Sequence, residues 1–413
     1  MTTITLIFLV LLTATVAVRL WLGLRHIGYV QTHRDKVPAA FVDTISLESH
    51  QLAADYTAAK TRLVIGQAIA QALLLILFTL GGGLQALDDS WRVLLPGTEL
   101  LRGALVIVSA FVISSLVDLP FDYYKSFTVD ERFGFNRMSR AMFFGDLVKH
   151  ALVGVTMGAP VLFVALWLMQ AAGSLWWLYL WVVWSAFNLV MLAIYPTFIA
   201  PLFNKFEPLQ DASLKQRMEA LLTKCGFRSQ GLYVMDGSAR SSHGNAYFTG
   251  FGAAKRVVFF DTLLSRLEPD EIEAVLAHEL GHYRHRHVFK RIALLFAISF
   301  AGLALLGWLM NQTWFFTGLG VETPSAYMGL LLFLLVSPVF MFLLRPLMSS
   351  YARRNEFEAD AYAARHASAK RLVDALVKLY RDNASTLTPD RLHSAFYDSH
   401  PPASARIARL QVL

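Results

Sequence analysis

Seven apolar stretches, each near the length that crosses a lipid bilayer, constrain this chain more than any other feature. A spanning helix needs ~20 mostly apolar residues. The runs lie at about 4–24, 63–80, 104–120, 152–172, 175–198, 292–310 and 327–347. The fourth and fifth are separated by little more than Gly173 and Ser174 and should form a tight antiparallel pair. Only 16% of the 413 residues are charged and 55% are hydrophobic, against ~25% charged in soluble domains, which excludes a single water-surrounded globule. The first run is long for a signal-peptide core and lacks a basic lead-in, so it reads as a retained span rather than a cleaved leader.

Charge orients the bundle. The net charge is +7, and the lysines and arginines concentrate in alternate loops. Arg25, Arg34, Lys36, Lys60 and Arg62 follow the first run. Lys125, Arg132, Arg137, Arg140 and Lys149 follow the third. The segment 199–291 and the tail after Arg345 are also basic. By the positive-inside rule these face the cytoplasm, which places the N-terminus outside and the C-terminus inside. The charge is thereby explained by topology, and no nucleic acid partner is expected. The single cysteine, Cys225, cannot close an internal disulfide and reads as a small core residue.

The chain divides into residues 1–198 with five spans, 199–291, 292–347 with two spans, and 348–413. The two extramembrane pieces are each marginal for a core of their own and should be halves of one domain. Within the first, 231–236, 246–249 and 256–261 read as short strands bounded by glycine. Pro269 opens a helix whose first turn holds Asp270, Glu271 and Glu273.

That helix carries His278-Glu279-Leu280-Gly281-His282. Residues four apart share a helix face, so both imidazoles can reach one zinc ion. Glu279 is placed beside them as a general base for an activated water. A catalytic zinc has three protein ligands as a rule, and the segment 355–360 supplies a third, the carboxylate of Glu356. Asp360, four residues on, can fix the tautomer of a ligand histidine. Glu358 is a rival ligand by composition, but its spacing to Asp360 puts the two on different faces. The charge rule places both helices on the same side of the membrane. His285 and His287 sit in a basic stretch beside a span and read as contacts to anionic headgroups, with metal binding the alternative.

These residues resemble the CAAX prenyl protease type 1 family of membrane zinc endopeptidases. The likeness runs from about Leu119 to the C-terminus. It rests on the zinc motif, Glu356–Asp360, and the segments 119–121, 131–136, 195–206, 241–248, 260–264 and 399–402. The resemblance implies a mainly α polytopic fold of seven transmembrane helices forming a hydrated chamber, with a gluzincin-like α+β domain on the cytoplasmic side. Arg19, Asn188 and Ser337 would be polar residues facing the chamber or packing between helices. It also implies that Asn245, Ala246, Tyr247 and Phe248 form an edge strand that pairs with substrate backbone. His400 and Arg406 would act near the scissile carbonyl.

The expected protein is a metalloendopeptidase with one zinc ion per chain, ligated by His278, His282 and Glu356. Its partners would be a peptide or protein substrate, lipidated in the CAAX-type case, and the bilayer. The chain is short for a eukaryotic member and shows no C-terminal retention signal, which favours a bacterial inner membrane over the endoplasmic reticulum. Two alternatives stay open: a heat-shock-type quality-control protease, and a seven-helix transporter or receptor that binds zinc without catalysis.

Overall fold

A computed structural model of the chain describes residues 2–227, 229–249 and 256–413. Among them, seven helices are long and apolar enough to cross a membrane. In chain order the helices are α1 (Thr3–Thr32), α2 (Leu47–Phe78), α3 (Gly83–Leu94), α4 (Glu99–Tyr124), α5 (Arg140–Ala171), α6 (Trp176–Ile194) and α7 (Ala212–Lys224). There follow α8 (Asp261–Leu264), α9 (Pro269–Arg284), α10 (His287–Leu309), α11 (Thr313–Thr317) and α12 (Ala326–Met341). The last are α13 (Arg345–His366), α14 (Ala369–Asp382), α15 (Arg391–Tyr397) and α16 (Ala403–Leu410). Serine side chains at Ser46, Ser139 and Ser325 start α2, α5 and α12 by accepting a backbone N–H that the first turn would leave unpaired.

The spans follow a closed circuit of neighbours, and α12 also packs against α4 and α5. Helix α1 lies beside α2, α2 beside α4, α4 beside α5, α5 beside α6, α6 beside α10, α10 beside α12, and α12 returns to α1. Burial within the ring is one-sided. It falls at the start of α4 (Gly103–Ala110), the end of α5 (Ala165, Leu166, Leu168), the start of α6 (Trp176, Leu180), Leu306 near the end of α10, and the start of α12 from Tyr327. Antiparallel neighbours bring all of these to one end, which is packed shut. Toward the other end the side chains of these helices are mostly exposed. Gln67 and Gln71 there donate to the Asp118 carboxylate, so that polar groups within the spans satisfy one another. Arg19 is half-buried with its guanidinium over the Phe342 ring, a helix-packing position. Half-buried Asn188 donates to the Trp184 carbonyl one turn back.

The spanning helices outrun their apolar stretches. Helix α2 begins at Leu47, well before the run at 63–80, and α1 continues to Thr32. These extensions are held by contacts with the extramembrane domain. Phe41 and Ile45, between α1 and α2, pack against Val377, Leu387 and Ile407. Tyr56 of α2 packs with Val129 and Phe135, and its hydroxyl donates to Asp130. The basic loops therefore gather at the open end of the ring.

There the extramembrane domain assembles. Its strands are β1 (Phe206–Pro208), β2 (Leu232–Met235), β3 (Ala246–Thr249) and β4 (Arg256–Phe260), ordered β1-β2-β4-β3. β2 and β4 are parallel; β1 and β3 are antiparallel additions on either side. The three strands expected from sequence are present. β1 was not anticipated, because three residues ending in Pro208 carry no alternation. One apolar core joins residues 209–280 to Tyr362, Ala363, Leu372, Ala375 and Leu410, so stretches on either side of α10 and α12 share it.

Candidate metal centre and active site

Helix α9 starts on a reciprocal cap. The Glu268 backbone N–H donates to the Glu271 carboxylate at 2.7 Å, and the Glu268 side chain accepts in return. Lys378 of α14 holds Glu271 at 2.8 Å. The helix packs along α13, and Gly281 permits the approach: a Cβ there would lie 2.7 Å from the Ala359 Cα and 3.1 Å from the Tyr362 Cβ. This contact faces Glu356 toward the two histidines.

The donor atoms converge. His278 Nε2 and His282 Nε2 are 3.3 Å apart. Glu356 Oε1 lies 3.3 Å from His282 Nε2, and its Oε2 lies 3.5 Å from His278 Nε2. Tetrahedral ligands at ~2.0–2.1 Å from zinc stand roughly 3.3 Å from one another, so two imidazole nitrogens at 3.3 Å, with a carboxylate oxygen near each, are spaced to share one such ion. Glu356 Oε2 is buried without a hydrogen-bond partner, a group that burial alone would penalise and a cation would satisfy. Two imidazoles and a carboxylate are also the donor set expected of catalytic zinc.

Neighbouring groups set the state of His278. Asp360 Oδ1 lies 2.9 Å from its Nδ1, which leaves Nε2 free toward the triangle. Burial disfavours its charged form, but the neighbouring Asp360 and Glu356 carboxylates prevail and raise its pKa to about 9 in the metal-free protein. Glu279 is half-buried among these groups. Burial raises its carboxyl above the ordinary range, and the nearby His278 and His282 oppose that shift.

Most of the expected site residues meet here. Arg406 is 5% exposed, and its Nε and Nη2 donate to the two Asp360 oxygens at 2.9 and 2.6 Å. Its Nη1 stands 3.8 Å from Glu356. Two of the three guanidinium nitrogens are thus occupied by Asp360, and the third faces Glu356. His400 is exposed and its Nε2 lies 3.5 Å from Glu356 Oε1, at the mouth of the triangle. Asn245, Ala246, Tyr247 and Phe248 form or lead into β3, which lies at the sheet edge and touches α9. Exposed Asn245 passes its carbonyl to the Phe260 N–H.

The headgroup reading of His285 and His287 does not hold for His287. Arg286 adopts a left-handed conformation (φ 55°) between α9 and α10, and the turn folds His287 back to 5% exposure. Its Nδ1 is 2.9 Å from His282 Nδ1 and its Nε2 is 3.1 Å from Glu358. Glu358, the rival ligand, is thus occupied outside the triangle. His285 is partly exposed, 3.9 Å from Glu358.

Other contributors escape motif reading. Ser349, Arg353, Glu356 and Asp360 share one face of α13. Ser349 donates to the Phe396 carbonyl, and Arg353 Nη1 donates to those of Ser394, Ala395 and Asp398, fixing the loop that presents His400. The i, i+4, i+7, i+11 spacing was the available signal. Asn383, after α14, accepts from the Gly244 N–H at 3.0 Å and donates to its carbonyl at 3.3 Å, setting the entry to β3. Nothing in the sequence marked it.

Family models match nearly the whole chain: residues 26–205 fit the CAAX prenyl protease N-terminal, five membrane helices, and residues 208–413 fit Peptidase family M48. The chain belongs to peptidase family M48. CAAX prenyl protease 1 of Saccharomyces cerevisiae is 31% identical over 407 residues, covering 92% of this chain and 90% of its own. The CAAX prenyl protease 1 homolog of Arabidopsis thaliana is 38% identical over 316 residues, covering 76% and 74%. The crystal structure of S. mikatae Ste24p superposes with a TM-score of 0.92 at 30% identity, over 99% of each chain. As an M48 member with seven spans, the chain is an integral-membrane metallopeptidase, and the resemblance read from its motifs agrees with the matched family.

Proposed function

We propose that this M48 peptidase is a zinc-dependent endopeptidase that cleaves near the C-terminus of prenylated CAAX-type or other membrane-associated proteins. The two histidine Nε2 atoms, 3.3 Å apart, each with one Glu356 oxygen at 3.3 or 3.5 Å and with Glu279 beside them, carry the reading. His278, His282 and Glu356 hold the ion. Zinc there supplies Lewis acidity, lowering the pKa of a water toward ~7 and polarising the scissile carbonyl.

The chain's own groups do the rest. Backbone groups of β3 left unpaired at the sheet edge align an extended peptide by strand addition, with Asn245 and Ala246 at its start. Glu279 takes the proton of the attacking water on its carboxylate and delivers it to the departing amine nitrogen. His400 Nε2 hydrogen-bonds the oxygen that becomes negative at the attacked carbon. Asp360 keeps the proton of His278 on Nδ1, and Arg406 fixes Asp360. Basic loops at the open end of the ring support a cytoplasmic active site, in a bacterial inner membrane or the endoplasmic reticulum.

The names of the relatives support the CAAX substrate class over a quality-control role, and Glu279 favours catalysis over zinc binding alone. The test compares cleavage of a farnesylated CAAX peptide, its unprenylated twin and an unfolded membrane protein, with and without a chelator. Preference for the first, abolished by chelation, supports the proposal. Equal cleavage of the unfolded protein would replace it with a quality-control protease.

A further inference from the structure

From the way His287 is folded back onto His282, we infer that Glu358 and His287 form a hydrogen-bond relay that positions His282 as a metal ligand. The inference rests on His282 being a ligand. Each histidine of the pair needs its Nε2 bare toward the ion, so each must carry its proton on Nδ1. For His278 the acceptor is Asp360. His282 meets no carboxylate at Nδ1; it meets His287 Nδ1 at 2.9 Å.

One arrangement of protons satisfies all three groups. The His282 Nδ1–H donates to His287 Nδ1, and His287 Nε2–H donates to Glu358 at 3.1 Å. Both rings are then neutral, and the carboxylate, acting through His287, sets the tautomer of His282. The opposite tautomer of His287 would place its own N–H against that of His282. The relay is built from separate places in the chain. Glu358 comes from α13, His282 from α9, and His287 is the first residue of α10, buried by the left-handed turn at Arg286. Arg354 Nε stands 3.6 Å from the other oxygen of Glu358, from a largely exposed side chain, which leaves the carboxylate a single buried partner.

The three groups nearest this cluster, His285, His287 and Glu358, could themselves hold a cation. A metal on His287 Nε2 would force its proton onto Nδ1, against the Nδ1–H that His282 needs. The relay reading is therefore the one compatible with His282 serving the catalytic triangle.

The experiment uses the full chain in lipid nanodiscs. Zinc affinity is measured by competition with a chromophoric chelator, and visible spectra are recorded on the cobalt(II)-loaded protein. Variants are His287→Ala, His287→Gln, Glu358→Ala, the double Ala variant, and His282→Ala as control. His287→Ala should weaken zinc binding ~10–100-fold and alter the cobalt spectrum. His287→Gln, whose amide supplies one acceptor and one donor, should return both within about threefold of wild type. The double variant should be no weaker than His287→Ala, because both residues act through one path. Wild-type affinity in His287→Ala, with binding lost in His282→Ala, overturns the relay while leaving the ligand set intact. Failure of Gln to rescue overturns it too, as do two zinc ions per wild-type chain falling to one in His287→Ala. Unchanged zinc binding in His282→Ala removes the ligand reading itself.

Discussion

Adding one methyl group at Gly281 tests whether the fit of α9 against α13 sets the metal geometry. The new Cβ would lie 2.7 Å from the Ala359 Cα, 3.0 Å from the Ala359 carbonyl oxygen and 3.1 Å from the Tyr362 Cβ. Carbon atoms settle at ~3.5–4.0 Å, so the helices must separate by roughly 1 Å at this level. Backbone atoms make up two of the three contacts, and they cannot rotate aside. Overpacking of this kind costs ~1–3 kcal/mol. Metal binding draws Glu356 on α13 toward the histidines on α9, so the bound state resists the separation more than the metal-free one. Gly281→Ala should therefore weaken zinc binding about tenfold or more. It should lower kcat/KM ~100-fold, the scale of a 1 Å misplacement of reacting groups. Chelator competition and peptide cleavage kinetics read the two effects. Wild-type zinc affinity with kcat/KM within about threefold would refute the argument that this contact sets the site.

Glu279→Gln should retain one zinc per chain by elemental analysis while kcat falls ~100–10,000-fold, the range for losing a general base; retained cleavage would exclude the mechanism. His278 has a pKa raised to about 9 without metal, so below that pH zinc must displace its proton. Zinc affinity should then rise with pH and level off near 9, and calorimetry in buffers of different ionisation enthalpy should detect about one proton released per ion near neutrality. Asn383→Ala removes both bonds to Gly244, at ~1 kcal/mol each, and should raise KM about tenfold with zinc affinity unchanged. Steady-state kinetics and chelator competition separate those two quantities.

The spans and the zinc triangle were legible for different reasons. Bilayer thickness dictates an apolar run that hydropathy registers directly, and helix periodicity places His278 beside His282. Glu356 was reachable because a carboxylate–Asp spacing of four has a geometric meaning. The start of α2 at Leu47 was hidden, because its polar extension is held by tertiary contacts such as Tyr56 with Phe135. The role of His287 was hidden by composition. Its basic neighbours suggest a membrane surface, while its direction depends on a non-glycine residue adopting a left-handed turn, which local preference does not announce. Arg406 was found by resemblance, but only coordinates reveal that both its forked donors are taken by Asp360.

Glu356 is carried on a helix that follows α10 and α12, whereas the histidine pair precedes them. During synthesis the two imidazoles emerge first and wait for a carboxylate that cannot reach them until the last two spans have been inserted and have turned the chain back. On the proposed ligand set, hydrolytic competence therefore waits on insertion of the last two spans.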